Sequence, residues 1–320
     1  MLKFITITCF IFLFIAVHAQ DCDKYTIMNT KGKWVTDADN IVSPEKTFPS
    51  SQYNQLRTRL DKIAELFKEA YPQPMGMQAK WYRSIRGNAI IANGPAPYQF
   101  NSLYQGWYCD QNLHKLMLGS QTATWAYAFV NDLHWFLNDQ YDQLRVKIDG
   151  AIAYFLPRIK EQWKGFIVYE PSANQGKSKA ILITRNNQLP YKPVSRSVYL
   201  QALRQKIESD KQRQPKAQPK YFDDKLKIID DISKSMGQDE LQQAAILDND
   251  VSFKGFSSLE KGGRMVVVIN PGYFDTRLPR WASQVIMLYW QWDNSLPSQN
   301  FKKELEENFP IDKLKQMIDK

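Results

Sequence analysis

The chain has 320 residues, 43% hydrophobic and 13% aromatic, and carries a formal net charge of +9. That much apolar material can bury a sizeable core, which excludes an intrinsically disordered chain. The basic charge comes without an aromatic–basic nucleic-acid motif, so no nucleic-acid partner is expected; a moderately basic chain of this kind suits anionic envelope surfaces or acidic polysaccharides.

Lys3 precedes an apolar run over residues 4–17, and Val17-His18-Ala19 puts small residues at the outer and inner cleavage positions. Residues 1–19 therefore read as a signal peptide cut between Ala19 and Gln20, because the run is short for a membrane span of roughly 20 residues. The expected address is exported, periplasmic or extracellular, with no membrane span after cleavage. Of three cysteines, Cys9 leaves with the signal. Cys22 and Cys109 then form the one pair available for a disulfide in an oxidising compartment, although the spacing is equally compatible with two unpaired thiols.

Residues 25–28 and 33–35 read as short β-like pieces. Ser50 or Ser51 can cap a helix in which Tyr53, Leu56, Leu60, Ile63, Phe67 and Ala70 recur at three- and four-residue steps, until Pro72 and Pro74 end it. Residues 78–137 are rich in aromatics, with strands expected near 80–85, 89–92, 106–109, 115–119 and 122–130. In the last, Trp125, Tyr127 and Phe129 alternate with smaller residues, as on a sheet with one aromatic face. Short β-like pieces continue over 143–156. Residues 165–170 and 180–184 are expected to pair as a hairpin. The prolines of Leu189-Pro190-Tyr191-Lys192-Pro193 force extended backbone. Ser195 can cap the helix that follows, whose apolar face is Tyr199, Leu200, Leu203 and Ile207.

Residues 209–220, basic and rich in Pro and Gln, read as a linker between parts spanning 20–208 and 221–320. Beyond it, Phe222, Leu226, Ile229 and Ile232 mark one helix, and Leu241, Ala244, Ala245 and Leu247 a second. Residues 265–269 and 283–292 are strands, and 301–308 and 311–318 are closing helices. The expected fold is α+β: antiparallel, aromatic-rich sheet elements with packed amphipathic helices. One large domain and two subdomains are both compatible with this length.

The familiar catalytic and phosphate-binding motifs are absent. Only His114 and His134 remain after cleavage, and an imidazole-based zinc site would need both plus carboxylates such as Asp110 or Asp132; Asp132 and His134 are the one compact pair, read, for lack of ligand spacing, as a hydrogen-bonded histidine beside aromatics. No metal and no cofactor is expected. A carboxylate-dependent hydrolase would need two facing carboxyl groups, with Asp110, Asp132, Asp139, Glu170 and Asp293 as candidates in aromatic settings. Trp290, Trp292 and Asp293 form the most suggestive ligand-binding group, because indole faces stack on sugars beside a hydrogen-bonding carboxylate; the same alternation also suits two core residues under a helix. Ser195 and Arg196, at a helix start, are candidates for holding an anion.

Tyr71-Pro72-Gln73-Pro74-Met75-Gly76 with Ala79-Lys80-Trp81-Tyr82-Arg83-Ser84-Ile85, Leu182-Ile183-Thr184-Arg185 through Leu189-Pro190-Tyr191 to Val194-Ser195-Arg196, and Asn270-Pro271-Gly272-Tyr273-Phe274 together resemble uncharacterised secreted proteins of Bacteroidota. The resemblance implies an exported address and transfers no activity. The function expected is a non-enzymatic envelope or extracellular binding protein for a glycan or peptide. The alternatives are a hydrolase acting through carboxylates on an envelope or extracellular polymer, and a structural or assembly partner in the envelope.

Overall fold

The structure, a computed structural model, describes residues 22, 24–41, 50–85, 89–171, 177–214, 219–248 and 250–320. The expected signal segment lies outside these residues. In chain order the elements are α1 (Lys24–Asn29), β1 (Trp34–Thr36), β2 (Asn40–Ile41), α2 (Ser50–Ala70), β3 (Met77–Ile85), β4 (Tyr98–Asp110), β5 (Lys115–Leu118) and β6 (Trp125–Val130). Then come β7 (Asn138–Asp139), β8 (Lys147–Ile148), β9 (Ala151–Phe155), β10 (Arg158–Trp163), β11 (Phe166–Glu170), β12 (Ser178–Thr184) and β13 (Tyr191–Pro193). The chain ends with α3 (Arg196–Arg213), α4 (Pro219–Ser235), α5 (Gln238–Gln242), β14 (Ile246–Leu247), β15 (Arg264–Ile269), β16 (Val285–Gln291), α6 (Leu296–Asn308) and α7 (Ile311–Lys315).

The strands form two sheets. The larger has ten strands, ordered β1-β3-β4-β6-β16-β12-β11-β10, with β2 beside β3 and β5 beside β4. The smaller has six, ordered β13-β15-β9-β7, with β14 beside β15 and β8 beside β9. Pairing is antiparallel except where β1 and β2 lie parallel to β3. The fold is thus α+β, with the predicted hairpin of β11 and β12 in place.

Side-chain alternation sorts the strands into three apolar layers. From β16, Ile286, Leu288 and Trp290 point into a layer covered by α2, α6 and α7, while Val285, Met287 and Tyr289 point to the opposite side. From β15, Val267 joins that second layer and Val266 faces a third, under α3 and α4. The order is helices, large sheet, small sheet, helices. Strand β16 is buried along its whole length because it is covered on both faces and paired on both edges, with β6 and with β12.

The two parts expected on either side of residues 209–220 share both sheets. Strand β16 lies between β6 and β12, and β15 between β13 and β9. Residues 209–213, read as linker, are the last turns of α3, and Pro219 already begins α4. Their charges form the wet face of a helix: Lys206 Nζ is 2.7 Å from Asp210 Oδ2, one turn on. Residues 215–218 lie outside the described residues.

Three local expectations are corrected. Residues 25–28 are helical, in a six-residue helix held by tertiary contacts. Residues 89–92 form a turn, closed by Gly94 N–H donating to the Ile91 carbonyl at 3.1 Å. The second helix of the C-terminal part stops at Gln242, and residues 246–247 pair with β15. There, Val266 N–H donates to the Ala245 carbonyl, so sheet pairing overrides a helical apolar spacing.

Candidate functional site

A cleft of about 530 Å³ opens at one end of the large sheet. Strand β4 is buried from Tyr98 to Ser102 and becomes half-exposed beyond Gly106, where it overhangs the main sheet and pairs with β5. That overhang is one wall, carrying Trp107 and Tyr108. Ile27 and Met28 of α1 form the facing wall, Tyr104 and Met77 line the interior, and residues 293–297 leading into α6 form the rim. A disulfide joins the two walls: Cys22 precedes α1, Cys109 lies two residues past Trp107, and their Cα atoms are 5.5 Å apart. The predicted pairing is therefore the one the structure contains.

The walls are fixed by main-chain bonds. Trp107 N–H donates to the Gly76 carbonyl at 3.0 Å, Gly119 N–H to the Gly106 carbonyl at 2.9 Å, and Tyr104 N–H to the Thr124 carbonyl at 2.9 Å. The Thr122 hydroxyl donates to the Tyr104 carbonyl. The Thr124 and Ser298 hydroxyls bond at 2.6 Å and tie the cleft to α6. Burial raises the Tyr104 phenol far above the ordinary tyrosine range, so it stays neutral.

Two polar atoms of the lining residues are without partners among the described residues. Asp293 Oδ1 accepts from the Ser295 N–H at 2.8 Å and from its hydroxyl at 2.6 Å; Oδ2 has no partner among the described residues. The Trp107 indole Nε1–H is buried without an acceptor among the described residues. Gln121 and Asn294, both exposed, add amides at the rim. The chemistry this assembles is apolar and aromatic walls with a hydrogen-bonding edge.

Of the residues the sequence singled out, Asp293 is in the cleft and the tryptophans beside it are not. Trp290 is fully buried, 5.4 Å from Trp163 between ring centroids, with its Nε1–H donated to Glu306 Oε1 at 3.0 Å. Trp292 is 7% exposed, with the Lys302, Lys179 and Lys160 ammonium groups 5.1, 5.8 and 6.0 Å from its ring centroid. The stacking role for this pair is corrected to a core role, because α6 folds back over their face of β16. Of nine tryptophans, Trp135 alone is exposed, stacked on Phe129 at 5.7 Å.

Ser195 and Arg196 are likewise structural. The Ser195 hydroxyl accepts from Val198 N–H as the cap of α3, and the Arg196 N–H is taken by the Gln243 carbonyl. The Arg196 guanidinium pairs with Glu240 at 2.8 Å and lies 5.2 Å from the Phe256 ring centroid. At that helix start the structure shows capping and an ion pair. Asp132 Oδ1 accepts from the His134 N–H and contacts His134 Nδ1, both at 2.9 Å, in a turn after β6 rather than on a strand. Among the described residues no group of three His, Cys, Asp or Glu is placed to hold a metal, and no helix is long and apolar enough to cross a membrane.

Tyr104, Trp107, Tyr108 and Met28 were missed as site residues. Their local signal was weak: a strand running past Gly106 reads the same whether its end is covered or open. Comparison with protein-family models, with curated proteins and with solved structures finds no match for this chain.

Proposed function

We propose that the chain is an exported, non-enzymatic binding protein that takes a sugar unit of a glycan into the cleft between β4 and α6. The observation that carries this reading is the placing of Trp107 and Tyr108 on the wall of the cleft that Asp293 rims, with Asp293 Oδ2 unpartnered among the described residues. A sugar offers apolar faces to aromatic rings and hydroxyl donors to a carboxylate. The disulfide supports an oxidising, extracytoplasmic address, and the resemblance to secreted Bacteroidota proteins belongs to the same proposal. A peptide ligand would draw on the same apolar walls and amides, and is the second arm of the test. The hydrolase reading has one lining carboxylate among the described residues, Asp293, where it needs two.

The test is a screen of oligosaccharides and peptides followed by tryptophan fluorescence and calorimetric titration of the hits. Trp107→Ala is expected to weaken a hit about tenfold or more, and Asp293→Asn to weaken it less. Binding unchanged in both variants would remove the cleft from the function.

A further inference from the structure

A second, smaller cavity of about 160 Å³ sits at the corner where the chain leaves the small sheet at Phe155 and enters the large one at Arg158. Its walls are apolar, chiefly Leu156, Ile159, Leu259 and Met265, and two guanidinium groups, Arg158 and Arg264, face it. Arg264 is partly buried, its guanidinium 4.8 Å from the Phe155 ring centroid. Arg158 donates through Nη2 to the Gly262 carbonyl at 3.0 Å.

Two like charges in one small apolar corner normally recruit carboxylates, and here none answers. Neither arginine has an ion pair within 4.0 Å among the described residues. Glu170, opposite Arg158 on β11, approaches Lys160 instead, at 4.0 Å. Glu260, on the adjoining loop, is held by Ser258 and by its own backbone. Burial, with Arg158 as a like charge beside it, pushes Arg264 down to about 10 from its ordinary 12.5. The corner therefore holds two cations with no carboxylate partner among the described residues, one of them, Arg264, partly desolvated, an arrangement that an incoming oxyanion relieves.

We propose that this corner is a binding site for a carboxylate bearing a short apolar group, with Arg158 and Arg264 taking the oxygens and the apolar walls taking the group. The cavity is too small for a large ligand body. One source of such a ligand is a free organic acid; the other is the C-terminus of a peptide. Strand β10 ends the large sheet with an outer edge on which the described residues place no strand, so an extended peptide has a backbone ladder beside the pocket.

The experiment titrates the whole chain with isovalerate, with an N-acetylated tripeptide ending in leucine, and with the same tripeptide amidated at its C-terminus. Calorimetry and thermal shift read the outcome. Both acids are expected to bind and to raise the melting temperature, and the amide to do neither. Tighter binding of the peptide acid assigns the site to chain termini; equal binding assigns it to free acids. Arg264→Met is expected to melt at or above the wild-type temperature without ligand, because it removes a partly buried unpaired charge, and to bind the acids about ten- to a hundredfold more weakly. Arg158→Ala, at an exposed position, gives the same reading should the first variant fold poorly. Equal binding of acid and amide, unchanged affinity in both variants, or no binding at millimolar acid would overturn the proposal.

Discussion

Lys179 shows how one side chain decides between packing and solvation. It lies on β12, 7% exposed, with its ammonium 2.5 Å from Glu161 Oε1 and 2.8 Å from Glu306 Oε1. Burial pulls its pKa down, but the bonds to the two glutamates outweigh that, and the net direction is upward. The bond to Lys179 in turn lowers Glu161 against a smaller opposing effect of burial. A raised lysine contributes stability below its ordinary 10.5, lost as pH rises past its folded value. A lowered glutamate contributes stability above its ordinary 4.5, lost as pH falls through its folded value. Lys179→Met is therefore expected to cost about 2 kcal/mol at pH 7, since Glu306 loses its closest cation and keeps only Lys302 at 3.6 Å and the Trp290 indole N–H, while Glu161 can turn to water. Denaturant titrations at pH 7 and pH 3 check this: the gap between wild type and variant should narrow in acid. None of it was legible from Ser178-Lys179-Ala180, because the partners lie on β10 and α6. The same holds for Trp290 and Trp292, whose shared face follows from alternation but whose cover comes from a helix past them in sequence.

At the scale of elements, the disulfide and α1 form the unit on which the cleft depends. A six-residue helix is far below the length that is stable in isolation, so α1 persists through its attachments. These include the Gly76 N–H to Thr30 carbonyl bond at 2.8 Å and the Cys22–Cys109 link, which closes a separation of 87 residues. Chain entropy assigns such a loop about 4–5 kcal/mol as an upper figure. The cross-link anchors only the first described segment, so its loss should open the cleft more than it melts the sheets. The Cys22→Ser, Cys109→Ser double variant is expected to lose ligand-induced fluorescence change while its far-UV circular dichroism stays near wild type. Hydrogen exchange should show faster exchange at 24–32, with protection in β16 reduced only by the loss of global stability. The cysteine pair was readable from counting thiols. That it clamps two walls of a cleft was not, because counting carries no position.

For the whole molecule, the interleaving of the two sheets governs behaviour. The chain passes between them four times: β6 to β7, β9 to β10, β12 to β13 and β15 to β16. No cut at residues 209–220 separates two complete cores, since β16 fills the centre of the large sheet and β15 that of the small one. Calorimetry of the intact chain is expected to give one cooperative transition with matching calorimetric and van't Hoff enthalpies; two resolved transitions would mean that the sheets fold separately. The local patterns were sufficient for much of this architecture. Heptad-like spacing marks α2, two-residue alternation marks β6, and a capping serine with prolines before it marks the start of α3, because these signals arise from a residue's own backbone preferences and those of its near neighbours. Strand order, the crossing between sheets, the cover over Trp290, the unanswered charge of Arg158 and Arg264, and the opening beside Trp107 belong to the folded chain. Each depends on which distant segment arrives at a face, and burial and charge compensation are properties of that arrival.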